Sequence, residues 1–273
     1  MTLKKSIISY LKKNNFHPSK KMGQNFLFDE KIINKIVNII KDNADGHNIL
    51  EIGPGLGSIS KEIVTFADNY LAIELDKRMS DYLIKEGVFK PSHLINADAL
   101  KIDWKCLFKN SLPVLMVGNL PYSISTLLIG KFIKSNKINK AIIMVQKEMA
   151  DRVCALVNSC NYNGFSVFLQ SNLIVKKEFL INASVFLPQP KVQSALIKLI
   201  KKPLANDADS NQYQNFLKMC FLQRRKTLLN NLKNYFNAEK IDKVFQQLAI
   251  PLMIRPQELS PKLFHDLYEA INN

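Results

Sequence analysis

Short apolar runs alternate with stretches of helical periodicity through most of this 273-residue chain. After a basic N-terminal arm, apolar residues recur at helical spacing between residues 30 and 41, behind Asp29 as a candidate cap. The apolar runs that follow each end in polar or glycine residues. They are NILEIG, YLAIEL, HLINAD, VLMVGN and AIIMVQ. This alternation predicts an α/β domain with a mainly parallel sheet, whose strand ends share one edge where ligands bind.

The alternation stops near residue 174. LIVKKEFLI and KVQSALIKLI predict two further strands that finish the sheet in antiparallel fashion. The polar segment PLANDADSNQY predicts a linker, and the pattern beyond it is purely helical. The predicted helices cover 216–236, about 239–248 and a segment that starts at Ser260-Pro261, where serine caps and proline takes the first helical position. We therefore predict two domains, 1–203 and a small all-helical 204–273.

The charge balance favours a polyanionic partner. There are 38 Lys and Arg against 23 Asp and Glu, a formal net charge of +15. Such an excess is typical of proteins that bind nucleic acid or an anionic membrane, and lysine usage for solubility is the alternative. The chain has no signal-peptide pattern and no apolar stretch of membrane-spanning length, so we predict a cytoplasmic protein without membrane contact.

The four cysteines favour neither disulfides nor a metal. The four residues, Cys106, Cys154, Cys160 and Cys220, have no CxxC spacing and no histidine at the sequence spacing of metal ligands. We predict small buried apolar side chains in a reducing compartment. No metal site is expected.

A glycine-rich turn follows the first predicted strand. Gly53, Gly55 and Gly57 permit tight turning and close backbone approach to a ligand. Glu74 ends the next strand, where a carboxylate can accept hydrogen bonds from a ribose diol. The pair fits a nicotinamide cofactor as well as S-adenosylmethionine. The third glycine comes one residue early for G-x-G-x-x-G, which favours a nucleoside cofactor without a pyrophosphate.

Asp98 ends the third apolar run. Its carboxylate can accept a hydrogen bond from an adenine amino group. A solvated helix cap explains the residue equally well.

Residues 119–122, at the end of the fourth apolar run, are suited to bind the amino group of an adenine. That amine is a poor nucleophile because its lone pair is delocalised, so a methylating site must hold it with acceptors only. The side-chain oxygen of Asn119 and the carbonyl of Leu120 can both accept, and Pro121 offers no competing N–H. Tyr122 can stack on the base.

A second aromatic residue precedes a Pro-x-Pro segment. Pro188 and Pro190 predict an extended loop. We expect this loop to let Phe186 project and stack on the same base. A core phenylalanine is the alternative.

These motifs resemble those of the ribosomal RNA adenine dimethyltransferases, in that family's order. They are 24–27 (QNFL), 51–55 (EIGPG), 119–122 (NLPY) and 186–194 (FxPxPxVxS), within a resemblance that runs from about 18 to 271. Segments 221–228 and 255–260 are similar to the branch that modifies small-subunit RNA. The large-subunit, erythromycin-resistance branch shares the active-site motifs, and a non-catalytic RNA-binding assembly factor is a third reading.

The resemblance implies a Rossmann-like class I methyltransferase sheet, S-adenosylmethionine as donor, and two adjacent adenosines near the 3′ end of 16S ribosomal RNA as acceptors. It implies a cofactor site lined by Asn25, Leu27, Gly53, Gly55, Glu74, Asp98 and Asn119.

Basic side chains are the candidates for holding RNA phosphates. Lys20 and Lys21 precede the first motif, and Arg224, Arg225 and Lys226 lie in the predicted 216–236 helix. On a helical wheel the arginines fall near the apolar stripe, which places them beside a groove between the domains, and Lys226 faces solvent. Such contacts are blind to sequence and sensitive to salt. Nothing indicates an obligate interface, so we predict a monomer that acts on the small ribosomal subunit.

Overall fold

The computed structural model describes residues 2–19, 22–121, 123–203 and 210–272. The chain divides into two compact units. The sheet unit comprises Met1–Lys147 and Lys176–Ile200, and the helical unit comprises Glu148–Val175 and Lys201–Asn273.

The described residues form nine strands. They are β1 (Phe26–Leu27), β2 (Asn48–Ile52), β3 (Tyr70–Glu74), β4 (Leu94–Asn96), β5 (Val114–Asn119), β6 (Ile138–Gln146), β7 (Leu173–Ile181), β8 (Phe186–Leu187) and β9 (Ser194–Lys201). Seven of them build one sheet in the order β4-β3-β2-β5-β6-β9-β7, and β1 and β8 form a separate antiparallel pair. Strands β2 to β6 pair in parallel, whereas β9 is antiparallel to β6. The predicted α/β sheet and its antiparallel finish are confirmed.

Eleven α-helices lie in the described ranges. They are α1 (Leu3–Lys13), α2 (Glu30–Ala44), α3 (Ser60–Ile63), α4 (Lys77–Lys85), α5 (Ser125–Lys134), α6 (Lys147–Val153), α7 (Gly164–Asn172), α8 (Ser210–Cys220), α9 (Leu228–Leu232), α10 (Ala238–Gln247) and α11 (Pro261–Asn272). Two predicted caps are confirmed. The Asp29 carboxylate accepts from the Ile32 N–H at 3.0 Å, and the Ser260 hydroxyl accepts from the Leu263 N–H at 3.2 Å.

The core of the sheet unit explains why the apolar runs form strands. All five residues of β2 and of β3 are buried. Helix α2 covers this sheet with Ile33, Ile36 and Ile40, which belong to the same cluster of buried side chains. Burying an isoleucine side chain contributes about 1.5–3 kcal/mol. The basic N-terminal arm is also ordered as α1, which the sequence reading missed, and its Ile7 is buried.

Close contact between β2 and β5 depends on a glycine. A Cβ atom at Gly118 would lie 2.4 Å from the Ile52 carbonyl oxygen, and that oxygen belongs to the backbone. No larger residue fits there without moving β2 relative to β5. Gly118 therefore fixes the end of β5 next to the turn that follows β2.

The predicted helix over 216–236 is wrong, because two helices separated by a turn occupy this segment. Helix α8 ends at Cys220 and α9 begins at Leu228, behind Thr227 as its cap. Asn231 closes the turn, since its amide donates to the carbonyls of Gln223 and Thr227 and accepts from the Gln223 N–H. The helical spacing of apolar residues extends across this turn, because residues on both sides of it, Leu217 and Leu228, are buried.

The compact units differ from the predicted domains in one segment. The predicted boundary after residue 203 lies close to the unit boundary at Ile200. Of the predicted linker 203–213, residues 204–209 lie outside the described residues, and 210–213 belong to helix α8, so the linker ends earlier than predicted. Segment 148–175, which we placed in the first domain, packs with the helical unit. Helix α7 shows why. A Cβ on Gly164 would lie 3.4 Å from the Leu217 carbonyl oxygen of α8.

The cysteines are less buried than predicted. Cys220 is buried, Cys154 is partly buried, and Cys106 and Cys160 are exposed because they lie in a short 3-10 turn and a loop. Among the described residues, no group of three or more His, Cys, Asp and Glu could hold a metal ion. No helix in the same ranges is long and apolar enough to cross a membrane.

Candidate active site

A pocket opens in the sheet unit at the carboxyl ends of β2, β3, β4 and β5. The sheet order reverses between β2 and β5, which is where parallel α/β sheets bind ligands. All seven residues predicted for the cofactor site line this pocket: Asn25, Leu27, Gly53, Gly55, Glu74, Asp98 and Asn119. Pro121 lines it as well. The structure brings these side chains together, and their binding roles stay predictions.

The glycine turn after β2 places backbone N–H groups at the pocket. Gly55 has a φ of +58°, which an L side chain rarely adopts, and a Cβ there would lie 3.4 Å from the Phe26 ring. Its N–H donates to Oε2 of Glu74 at 3.0 Å. The turn after β2 and the end of β3 are thus joined by a direct hydrogen bond.

Glu74 is held in a fixed orientation at the end of β3. Its side chain is 7% exposed, and its Oε1 accepts from the Asp76 N–H at 2.9 Å. Burial raises the pKa of Glu74, and the N–H bonds from Asp76 and Gly55 oppose this rise. Each carboxylate oxygen has two lone pairs, so the group can still accept from hydroxyl groups of a ligand.

Glu51 is a pocket residue to which the sequence reading gave no role. It lies in β2, is 2% exposed, and lines the pocket. Its Oε2 accepts from the Ser60 hydroxyl at 2.6 Å and from the Tyr70 hydroxyl. Burial raises the pKa of Glu51 to about 7, against the lowering effect of these two bonds. The available signal was a carboxylate inside an apolar strand, directly before the glycine turn.

Asn119 ends β5, and one hydrogen bond sets its amide orientation. Its Nδ2 donates to the Asn25 carbonyl oxygen at 3.1 Å. A carbonyl can only accept, so the NH₂ side must face it and Oδ1 must point elsewhere. Among the described residues, none donates to Oδ1. Oδ1 is therefore an acceptor beside the pocket that the described residues leave available.

Leu120 and Pro121 continue from Asn119. The Leu120 side chain is 1% exposed, and its N–H donates to the Met144 carbonyl at 3.2 Å, which ties the loop to β6. Tyr122 lies outside the described residues, as do Lys20 and Lys21.

Asp98 is half-buried at the pocket after β4. Its Oδ1 accepts from the Leu100 N–H at 2.9 Å, as a turn-capping aspartate does. Its Oδ2 accepts nothing from the residues that the structure describes. The capping role and a ligand contact are thus compatible.

The expectation that Phe186 projects from a loop is wrong. Its side chain is 2% exposed and packs in the core cluster that also contains Leu27. Phe186 lies opposite Leu27 in the β1–β8 pair, so it belongs to a strand and not to the loop that contains Pro188 and Pro190. The area that its ring buries favours the core over solvent.

The contact of Arg224 with RNA stays a prediction, and the structure shows bonds of its side chain within the protein. Its guanidinium donates to the backbone carbonyls of Ser159, at 2.7 Å, and Cys160, so this edge is occupied within the helical unit. Arg225 and Lys226 follow in the turn before α9 and are exposed.

The sheet order and the pocket at its reversal point define a Rossmann-like class I methyltransferase. Comparison with known proteins gives the family. The ribosomal RNA adenine dimethylase family matches residues 14–273. The chain therefore belongs to that family of methyltransferases, and the resemblance drawn from the motifs is confirmed.

The relatives are close and match over nearly their full length. The ribosomal RNA small subunit methyltransferase A of Mycoplasmoides gallisepticum is 48% identical over 97% of both chains. That of Malacoplasma penetrans is 41% identical over 94% of this chain and 93% of the relative.

Two solved structures have a similar fold. The crystal structure of a dimethyladenosine transferase from Plasmodium falciparum superposes with a TM-score of 0.75 and 27% identity, over 89% of this chain and 95% of that one. The 23S rRNA methyltransferase ErmE superposes with a TM-score of 0.67 over 91% of this chain and 100% of that one. Its identity of 21% shows likeness of fold alone.

Proposed function

We propose that this protein dimethylates the N6 amines of two adjacent adenosines near the 3′ end of 16S ribosomal RNA, with S-adenosylmethionine as methyl donor. The curated relatives at 48% and 41% identity are both named for the small subunit. The protein acts as a monomer on the small ribosomal subunit, in the cytoplasm where that subunit assembles.

The orientation of Asn119 carries the proposal. An adenine amine becomes nucleophilic only when its protons point at acceptors and its lone pair faces the methyl donor. The bond to the Asn25 carbonyl leaves Oδ1 of Asn119 as an acceptor beside the pocket. The Leu120 carbonyl supplies the second acceptor, on a loop that Met144 fixes. Pro121 adds no competing donor.

The donor set of the pocket fits S-adenosylmethionine. Glu74 would accept from the ribose hydroxyls and Asp98 from the adenine amino group. Gly53 and Gly55 lack Cβ atoms, so a ligand can lie against the backbone at these two positions. Glu51 places a carboxyl against the same cavity and would favour the cationic methionine part when ionised.

Methyl transfer needs no strong base from the protein. The N6–C bond forms as the carbon–sulfur bond breaks, which leaves a neutral thioether and a positive charge on N6. Acceptors at Asn119 and Leu120 stabilise that charge, and the nitrogen then loses a proton to water. A second round, with a second molecule of S-adenosylmethionine, forms the second N6–C bond in the same way, and the remaining N6 proton then leaves to water.

RNA phosphates are held by sequence-blind contacts. Arg225 and Lys226 are exposed neighbours in one turn of the helical unit and suit this task. Arg224 instead holds the 159–160 carbonyls in place.

The test is product analysis. Purified protein is incubated with S-adenosylmethionine and undermethylated small subunits, and digested RNA is analysed for N6,N6-dimethyladenosine by mass spectrometry. Asn119→Ala should abolish the product, whereas Asn136→Ala, the same change at an exposed position, should not. Product formed only on large-subunit RNA would move the protein to the resistance branch. Tight RNA binding without any product would favour a non-catalytic assembly factor.

A further inference from the structure

A lysine on α5 donates several hydrogen bonds to the loop that follows β4. Lys131 Nζ donates to the carbonyl oxygens of Ala99 at 2.8 Å, Leu100 at 3.0 Å, and Ile102. An ammonium group has three N–H donors, and three carbonyls accept them here. Such charge-assisted bonds are among the strong ones in proteins.

Trp104 completes this arrangement. The Lys131 ammonium lies 4.8 Å from the centroid of its ring, and its Nε1–H donates to the Ala99 carbonyl at 3.0 Å. Trp104 is 3% exposed, so its buried ring covers one side of the partly buried Lys131 ammonium. Burial lowers the pKa of Lys131, and the nearby carboxylates of Asp103 and Asp98 oppose this shift.

The clamped loop is part of the pocket wall. Ala97, Asp98 and Ala99 line the pocket. Leu100 connects Lys131 to the Asp98 carboxylate. Its carbonyl accepts from Lys131, and its N–H donates to Oδ1 of Asp98 at 2.9 Å. One amino-acid backbone unit thus links the ammonium to Asp98, whose Oδ2 stays available to a ligand.

We infer that Lys131 is a positioning residue for the methyl-donor site: it fixes the Ala99–Ile102 loop and thereby the carboxylate of Asp98. Lys131 does not line the pocket, so it acts through this loop. The inference rests on the proposed function for the identity of the ligand.

Lys137 offers a matched control. Its Nζ donates to the Phe108 carbonyl at 2.9 Å, farther along the same loop, and neither residue lines the pocket. Lys131→Met and Lys137→Met remove the same donors and keep a similar apolar stem. Lys131→Arg keeps the charge, but the planar guanidinium does not match three convergent carbonyls, so this variant should retain only part of the wild-type binding.

Two measurements test the inference on folded protein. Hydrogen exchange without ligand should show faster exchange of the 100–102 amides in Lys131→Met than in Lys137→Met. Calorimetric titration with S-adenosylhomocysteine should show a Kd raised at least about tenfold by Lys131→Met. The same titration should show a change below about twofold for Lys137→Met.

A double-mutant cycle tests the route through Asp98. If Lys131 acts through this carboxylate, Lys131→Met should weaken binding far less in an Asp98→Asn background. Unchanged exchange at 100–102, equal Kd effects of the two lysine variants, or full additivity with Asp98→Asn would each overturn the inference. If wild-type protein fails to bind S-adenosylhomocysteine, the proposed methyl donor is refuted instead. The hydrogen-exchange experiment would still test whether Lys131 fixes the loop.

Discussion

Replacing Glu51 by glutamine should stabilise the protein by an amount that grows with pH. The carboxyl is fully buried beside Ser60 and Tyr70, and burial raises its pKa from the ordinary value of 4.5 to about 7. A raised pKa means that folding favours the protonated acid. The stabilising contribution is complete below pH 4.5 and is lost as pH rises through 7.

The magnitude follows from the two pKa values. Each pH unit between them corresponds to about 1.4 kcal/mol, so ionised Glu51 lowers the free energy of unfolding by about 3 kcal/mol above pH 7. Glutamine at this position does not titrate. The stability difference between Glu51→Gln and wild type should therefore rise by about 2 kcal/mol or more from pH 5 to pH 8.

Urea unfolding at several pH values, followed by circular dichroism, measures this difference. Glu74 also has a raised pKa, but it is present in both proteins and cancels in the comparison to first order. Glu62→Gln, the same change at an exposed position of α3, should give a profile parallel to that of wild type. A Glu51→Gln profile parallel to wild type between pH 5 and pH 8 would refute the reasoning.

Three further changes have expected outcomes. Asn119→Ala should lower the rate of dimethyladenosine formation at least about 100-fold, measured in single-turnover assays, while the melting temperature changes little; a rate within tenfold of wild type would contradict its role as acceptor. Gly118→Ala should cost more than about 2 kcal/mol in urea unfolding because of the backbone clash, whereas Gly130→Ala, in open space on α5, should be neutral or stabilising by up to about 1 kcal/mol. Arg224→Ala should speed amide exchange in 158–161 and should weaken RNA binding less than Arg225→Ala, in filter binding at fixed salt; the reverse order would show that Arg224 contacts RNA directly.

Features that depend on residues close in sequence were predictable. The strands follow from short apolar runs, and the caps at Asp29 and Ser260 from residues three or fewer positions away. The strand-end positions of Glu74, Asp98 and Asn119 followed from the rule that parallel strands end on one edge. This is why these three residues meet at the pocket, whereas Asn25 and Leu27 were predicted from the family resemblance.

Features that depend on partners far apart in the sequence could not be predicted. The bond from Asn119 to Asn25 spans 94 positions, and that from Arg224 to Ser159 spans 65. The sequence predicted that Arg224 lies near an apolar stripe and contacts RNA, but a sequence does not show which carbonyls lie nearby. Phe186 was predicted to project from a loop because its partner strand β1 is also remote in the sequence.

The amino-acid sequence alone indicates the alternation of strands and helices, the motifs and the family, because periodicity and motif spacing are local properties. Tertiary structure decided which polar groups are occupied and which remain available. It placed Lys131 over three carbonyls, buried Glu51 enough to raise its pKa, and broke the helix at 221–227. The physical reason is that burial and hydrogen-bond partnership arise between segments far apart in the chain, where apolar periodicity carries no information.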